Sequence, residues 1–444
     1  MSNAADFHLF ESELGRHILL VDGSRVYDLP DELPTDAETF RKLVFDVSPA
    51  GSLRIDGTAL PPPPLQTLSL NVAQACNMGC NYCYAGKGGF GSKPKLMHED
   101  IARASVDRLI SESREGADLV IGFMGGEPFL NRALLHSIMP YAEDAAASAG
   151  RTVRFSLTTN ATLLVPEDVE LLARHRTQVA VSIDGPKSIN DAVRSMNCGG
   201  SSYDRLLRGL QLFEKHGRPY HLSARITVTP IARNLPDILD HVLSLGFDSA
   251  GFSPVLVSPD PSQAFEPSDF GWMLEGMVAC GEKARQSILG RKRYPFSNFE
   301  TALQEIERGS HRPYPCGAGA AYLSVSADGG LYACHRLVGD TKHHFGDVWA
   351  GSNVQARAAH LEARHVDRQE PCRSCWARYL CGGGCYHEVD RRGRPACDYI
   401  RGWLEFCLTS YVVLKERTPE YFRDTEQYFG AVIATSRTRI PANH

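Results

Sequence analysis

The chain has 444 residues, of which 43% are hydrophobic and 22% charged, with a formal net charge of −5. That size suits two or three domains, and the acidic balance, with no basic run, argues against nucleic acid as a partner. No stretch approaches the ~18 apolar residues of a membrane span, and "MSNAADFHLFESELGRH" lacks the charged start and apolar core of a secretory signal. The expected setting is the cytoplasm, where thiols stay reduced, so the thirteen cysteines need a role other than disulfides.

Residues 1–64 read as an N-terminal cap and linker. "HILLVDGSRVYDL" gives two short strands around Asp22-Gly23, a strong hairpin signal. The segment is too short for a complete winged-helix recognition domain and reads as a cap or partial docking strand. "PPPP" at 61–64 fits neither helix nor central strand.

From 65 to 305 strand-like and helix-like runs alternate. The strands are "LQTLSLNVA", "ADLVIGFM", "TVRFSLTT", "QVAVSID", "HLSARITVT" and "SAGFSPVLV". Between them lie helical runs such as Glu99 to Arg114, with Ile101, Val106, Leu109 and Ile110 on one side, and Tyr203 to His216. Pro166 followed by "EDVELLARH" is a helix start with acidic residues in its first turn. Such alternation implies parallel strands with right-handed crossovers. The expected fold class is α/β, a partial (β/α)6 barrel of TIM type, with its chemistry on the loops at the strands' C-terminal ends.

Residues 306–410 are rich in Gly and Cys and lack periodicity, so they are expected to build little apolar core and to be held by something inorganic. Residues 411–444 read as a helical tail. Cys198 and Cys280 stand alone and read as small buried side chains. The histidines of "TKHHFG" have no ligand-like partner set and read as solvated.

The loops after the first four strands carry polar or metal-binding groups. They are Cys76, Cys80 and Cys83; "GGEP" at 125–128; "TTN" at 158–160; and "SIDGP", with Ser182 and Asp184. Three closely spaced thiolates suit an iron–sulfur cluster with one iron left without a protein ligand. A zinc site or three unlinked thiols are the alternatives.

Cys-x3-Cys-x2-Cys after the first strand, with Tyr82 before the last cysteine and "GGEP" after the second strand, resembles the radical S-adenosylmethionine (SAM) superfamily. The resemblance implies a [4Fe–4S] cluster on Cys76, Cys80 and Cys83 whose fourth iron chelates SAM. It also implies reductive cleavage to a 5'-deoxyadenosyl radical. By motif, Gly125, Gly126 and Glu127 would bind the methionine amino end, and Tyr82 would lie near the adenine. Ser182 and Asp184 would lie near the ribose or carboxylate, with Asn160 in the same rim and Arg194 as a carboxylate partner. Two glycines suit close approach of backbone to a ligand, and a guanidinium suits a carboxylate.

The C-terminal pattern is Cys316-x12-Gly329-x4-Cys334, then Cys372-x2-Cys375-x5-Cys381-x3-Cys385, then Cys397. "YLSVSADGGLYAC" reads as a hairpin that returns Cys334 towards Cys316, with Asp328-Gly329 as its turn. The pattern resembles the SPASM extension of radical SAM enzymes that modify peptides and proteins. That implies two auxiliary clusters, and so three [4Fe–4S] clusters in all. One would sit on Cys372, Cys375, Cys381 and Cys397. The other would sit on Cys316, Cys334 and Cys385, with Cys407 or an open iron as the fourth position.

"CYAGKGGFG", "CHRLVGD" and "CDYIRGWLEFC" resemble thioether-forming peptide maturases, among them the six-cysteine (SCIFF) peptide maturases and the maturase of quinohemoprotein amine dehydrogenase. The implied reaction joins a substrate cysteine sulfur to a side-chain carbon of Asp or Glu. Asp398 and Asp328 lie near cluster ligands in sequence, and Asp398 is the expected base. The implied partners are a Cys-containing peptide or small protein, a reductant such as flavodoxin or ferredoxin, and a carrier or recognition protein. The rival readings are an anaerobic sulfatase maturase that forms formylglycine, a cyclophane-forming maturase, and a zinc-stabilised binding protein.

Overall fold

The computed structural model describes residues 6–32, 39 and 58–429. The expected cap through 33–57 and the tail beyond 429 therefore lie largely outside the described residues.

The N-terminal segment forms a three-stranded antiparallel sheet of β1 (Phe7–Ser12), β2 (Gly15–Leu20) and β3 (Arg25–Leu29). The hairpin anticipated at Asp22-Gly23 joins β2 to β3, with Leu20 opposite Arg25 and Gly23 at φ +78. The sheet docks on the C-terminal region. His8 stacks on Trp376 at 4.0 Å between ring centroids, and its Nε2 lies 2.5 Å from Glu405. Val21 shares an apolar cluster with Val366, Cys372 and Tyr379.

The centre is one large sheet. Six parallel strands follow in chain order: β4 (Thr67–Gln74), β6 (Asp118–Gly125), β7 (Thr152–Thr159), β8 (Gln178–Ser182), β9 (His221–Val228) and β10 (Ser249–Pro254). The short β5 (Lys95–Leu96) pairs with β4. The helices Glu99–Ser111, Arg132–Ser148, Pro166–Arg174, Ser202–His216 and Leu235–Ser244 lie in the crossovers. This is the expected partial (β/α)6 arrangement, each crossover returning the chain to the next parallel position.

Alternation along the strands explains what the barrel encloses. On β9 Leu222, Ala224, Ile226 and Val228 are buried in the core. The intervening His221, Ser223, Arg225 and Thr227 face cavities inside. Ser249, Gly251 and Ser253 do the same on β10. Packed barrels fill their interior with branched side chains. Ser and Gly here leave a hollow.

The C-terminal region corrects an expectation. β11 (Tyr322–Val325) pairs parallel with β4, with Leu68 opposite Leu323, so the sheet runs on without a break. β12 (Gly330–Tyr332), β13 (His344–Asp347) and β14 (Gly351–Ser352) extend it antiparallel. Leu323, Val325, Leu331, Leu337, Phe345 and Val348 are buried in the same core as the barrel. The region does build apolar core, by borrowing the edge of β4. The hairpin turn at Asp328-Gly329 stands as anticipated, with Gly329 at φ +87. Helix Cys397–Arg417 runs through the expected boundary at 410 and packs in the main core through Trp403, Leu404 and Leu408.

Candidate active site

β4 ends at Gln74 and delivers Cys76, Cys80 and Cys83 on the following loop. The loop is fastened to the segment after β8. Gly79 N donates to Ser195 O at 2.8 Å and Asn81 N to Val193 O at 3.0 Å. All three thiols line one cavity at the C-terminal end of the strands. Burial pushes the Cys76 thiol up to about 12, and Cys80 and Cys83 add to that rise. The Cys76 thiol therefore holds its proton at neutral pH, and a bound metal would have to displace it. Among the described residues no three His, Cys, Asp or Glu side chains gather tightly enough for a single metal ion. Three sulfur donors on one loop, within electrostatic reach of one another, are a donor set that suits an iron–sulfur cluster.

The "GGEP" loop has a different internal logic from the one expected. A Cβ on Gly125 would lie 2.3 Å from Ala73 O, and one on Gly126 would lie 2.2 Å from Ala75 O. The glycines are required because the loop crosses β4's own end, and both still line the cavity. Glu127 is fully buried. Its Oε1 accepts from Phe129 N at 3.1 Å and Thr159 Oγ1 at 2.8 Å, and its Oε2 accepts from Asn160 N at 2.8 Å. Burial raises its carboxyl to about 7, against the pull of those three donors. Glu127 ties the loops after β6 and β7 together and does not line the cavity. Asn160 does line it, and its Nδ2 donates to Asn77 Oδ1 at 2.9 Å.

After β8, Ser182 lines the cavity and Asp184 is wholly buried behind it. Tyr82 OH donates to Asp184 Oδ2 at 2.5 Å, Arg194 Nη1 donates to Tyr82 OH at 2.6 Å, and Thr227 N donates to Asp184 Oδ1 at 3.0 Å. Burial works against the Arg194 charge, but Tyr82, Cys80 and Asp184 more than reverse it. Asp184 is thus a counter-ion that fixes Tyr82 and Arg194, whose side chains reach the cavity.

Sequence reasoning missed three charged lining residues, Arg225, Arg336 and Glu388. Arg225 was legible from the alternation of β9. Arg336 and Glu388 had no signal, because they come from the C-terminal region. Arg336 Nη1 donates to Glu388 Oε1 at 2.7 Å, and its guanidinium lies 5.1 Å from the ring of Tyr84. Glu388 also lines the neighbouring cavity that holds Cys372, Cys375, Cys381 and Cys397.

The C-terminal cysteines lie within electrostatic reach of one another in two groups. Burial raises Cys372 to about 11, with Cys381, Cys397 and Cys375 contributing from close by. Burial likewise raises Cys334 to about 12, with Cys385 and Cys316 adding to it. Cys407 does not join either set. It is fully buried in the apolar core on the inner side of its helix, where burial holds its thiol well above the ordinary value. Asp398 projects into solvent with a side chain 95% exposed and pairs with Arg401. Asp328 is exposed too and pairs with Lys95. Neither lines the cavity. Two further expectations fail: Cys198 is exposed, and His343 is buried between Asp340 and Asp390, each at 3.3 Å.

Residues 70–243 match the family model of the radical SAM superfamily. The barrel, over the matched residues, is a radical SAM domain. The chain is similar to the serine-type anaerobic sulfatase-maturating enzyme of Klebsiella aerogenes, 25% identical over 346 residues, covering 75% of this chain and 82% of that one. It is also similar to the cysteine-type anaerobic sulfatase-maturating enzyme of Clostridium perfringens, 23% identical over 366 residues, covering 78% and 95%. Native anSMEcpe with bound AdoMet and Cp18Cys peptide superposes with a TM-score of 0.68 at 21% identity, over 80% of this chain and 99% of that one. This last likeness establishes the fold. The superfamily calls for a [4Fe–4S] cluster and SAM, and the three-thiol cavity has the donors for them.

Proposed function

We propose that this enzyme modifies a peptide or protein substrate by oxidising a side-chain carbon of Cys or Ser to formylglycine; its similarity to serine-type and cysteine-type anaerobic sulfatase-maturating enzymes supports this reading. The observation that carries this reading is the arrangement of the cavities. The three-thiol loop opens onto a hollow that reaches the C-terminal cysteines, and Glu388 and Arg225 stand where the parts meet. When bound, a cluster on Cys76, Cys80 and Cys83 with SAM, and two auxiliary clusters on the C-terminal sets, would supply a hydrogen-abstracting radical and a path for the surplus electron.

The chain's own residues position and shield. Tyr82 and Arg194, locked by Asp184, face the SAM end, where Arg194 suits a carboxylate. Ser182 and Asn160 offer hydrogen bonds on the same rim. Gly125 and Gly126 keep the loop flat against β4, which brings its backbone to the cavity. Glu388 is the carboxylate among the described cavity-lining groups shared by the SAM side and the Cys372–Cys397 side. It takes the role of base that the exposed Asp398 cannot fill, accepting a proton from the substrate at Oε. Flavodoxin or ferredoxin would serve as the external electron donor.

A second reading, thioether formation between a substrate cysteine and an acidic side chain, draws support from Cys407. With that thiol in the core, Cys316, Cys334 and Cys385 form a set of three, which leaves room for a substrate thiolate. Anaerobic incubation with a Cys-containing peptide and SAM separates the two. The first reading expects loss of sulfur and an aldehyde that reacts with a hydrazide. The second expects loss of two hydrogens with the thiol masked. An unchanged peptide in the presence of SAM cleavage would contradict both.

A further inference from the structure

Three guanidinium groups line the front cavity: Arg194, Arg225 and Arg336. Two are answered within the protein, Arg194 by Tyr82 and Asp184 and Arg336 by Glu388. Arg225 makes no side-chain hydrogen bond or ion pair among the described residues. It rises from β9 with an exposed side chain, yet the walls around it desolvate it. Burial holds its pKa below the ordinary arginine value, and Arg336 lowers it further. Its guanidinium borders both the front and the rear cavity, where the anion of a bound ligand can reach it. β9 could have carried Ser or Ala there, as it does at Ser223 and Ala224.

The position of Arg225 says which end of the site the anion occupies. Its titratable neighbours are Arg336, Tyr84, Cys385 and Glu388, three of them from the C-terminal region. It also lines the rear cavity of about 700 Å³, which contains no residue of the Cys76–Cys83 loop. That volume suits a peptide segment with its side chains. The planar fork of the guanidinium matches a carboxylate through two parallel hydrogen bonds.

We infer that Arg225 is a specificity-determining residue that pairs with a carboxylate of the peptide substrate, from an Asp or Glu side chain or the chain terminus near the modified residue. The inference rests on the reading of the enzyme as a peptide-modifying one. It narrows the substrate to peptides with an acidic group beside the reacting Cys or Ser.

The test uses the full-length reconstituted enzyme, immobilised without oxygen and loaded with SAM. The probe is a library of peptides with one fixed Cys, randomised flanks, and both free and amidated C-termini. Wild type should enrich a carboxylate-bearing class, Asp or Glu over Asn or Gln or free over amidated termini, by about tenfold. R225Q should lose that preference, and R225K should keep part of it. SAM affinity, measured by equilibrium dialysis, should stay within about twofold of wild type in both variants, since only the peptide's carboxylate is affected. A wild type that captures Cys peptides with no carboxylate preference overturns the assignment, as does a preference that survives in R225Q. Loss of SAM affinity with an unchanged peptide preference would assign Arg225 to the methionine carboxylate and also overturn it. Capture of no peptide at all would sink the peptide reading along with it.

Discussion

At the barrel mouth Cys76, Cys80 and Cys83 share one loop, set by the end of β4 and held by backbone bonds to residues 193–195. The C-terminal thiols come instead from separate pieces, among them the loop before β11, the end of its hairpin, a 3-10 turn at Cys372–Ser374, and the first turn of helix Cys397–Arg417. The first site is a local device on a rigid strand end, and the second exists only once distant segments have packed. A local site survives small changes elsewhere and fails when its own loop is altered. An assembled site depends on everything that docks its parts, including the N-terminal sheet stacked on Trp376.

Several substitutions would break or sharpen that contrast. Cys375→Ala should leave reductive SAM cleavage intact and abolish peptide modification, read by parallel assays of 5'-deoxyadenosine and product mass. Normal modification in that variant would dissolve the distinction between the two sites. Gly126→Ala should destabilise the protein by about 3 kcal/mol, because its Cβ would meet Ala75 O and backbone must shift. The fall in Tm should come with weakened SAM binding, since the displaced loop belongs to the barrel site.

Glu127 gives a pH test on metal-free protein. Its carboxyl is raised to about 7 when folded, from 4.5 when free. The folded state therefore holds the proton more tightly, and this contribution is fully present below pH 4.5 and lost as pH rises through 7. Glu127→Gln should remove a downward slope of up to about 1.4 kcal/mol per pH unit across that window. Denaturant melts at intervals from pH 4.5 to 7.5 would show it, and an unchanged slope would mean that Glu127 stays charged in its three-donor pocket. The smallest effect belongs to Cys407→Ala, which should cost about 1 kcal/mol by loss of core packing and leave the iron content of the reconstituted protein unchanged. A drop in iron would return Cys407 to the ligand set.

The barrel was legible because its strands are written in period two, with turn residues at their ends. "TVRFSLTT" is β7 from its first residue to its last, and "HLSARITV" is β9. The three-thiol loop was legible for the same local reason. Core in the C-terminal region was not, because strands of three or four residues such as β11 and β12 carry no periodicity of their own. They become core only against β4. Cys407 was misread because proximity in sequence to Cys397 says nothing about helix face. Asp398 and Cys407 lie on one helix, yet one meets solvent and the other the core. The burial of His343 needed Asp390, 47 residues away, to be visible. Glu388 and Arg336 were likewise invisible until the fold brought them to the cavity.

The most direct measurement is 5'-deoxyadenosine release by the reconstituted, oxygen-free enzyme after reduction with SAM present, compared with Cys83→Ala. The account predicts release by the wild type and none by the variant. Release by Cys83→Ala at the wild-type rate, or none by a wild type that has taken up its iron, would contradict it.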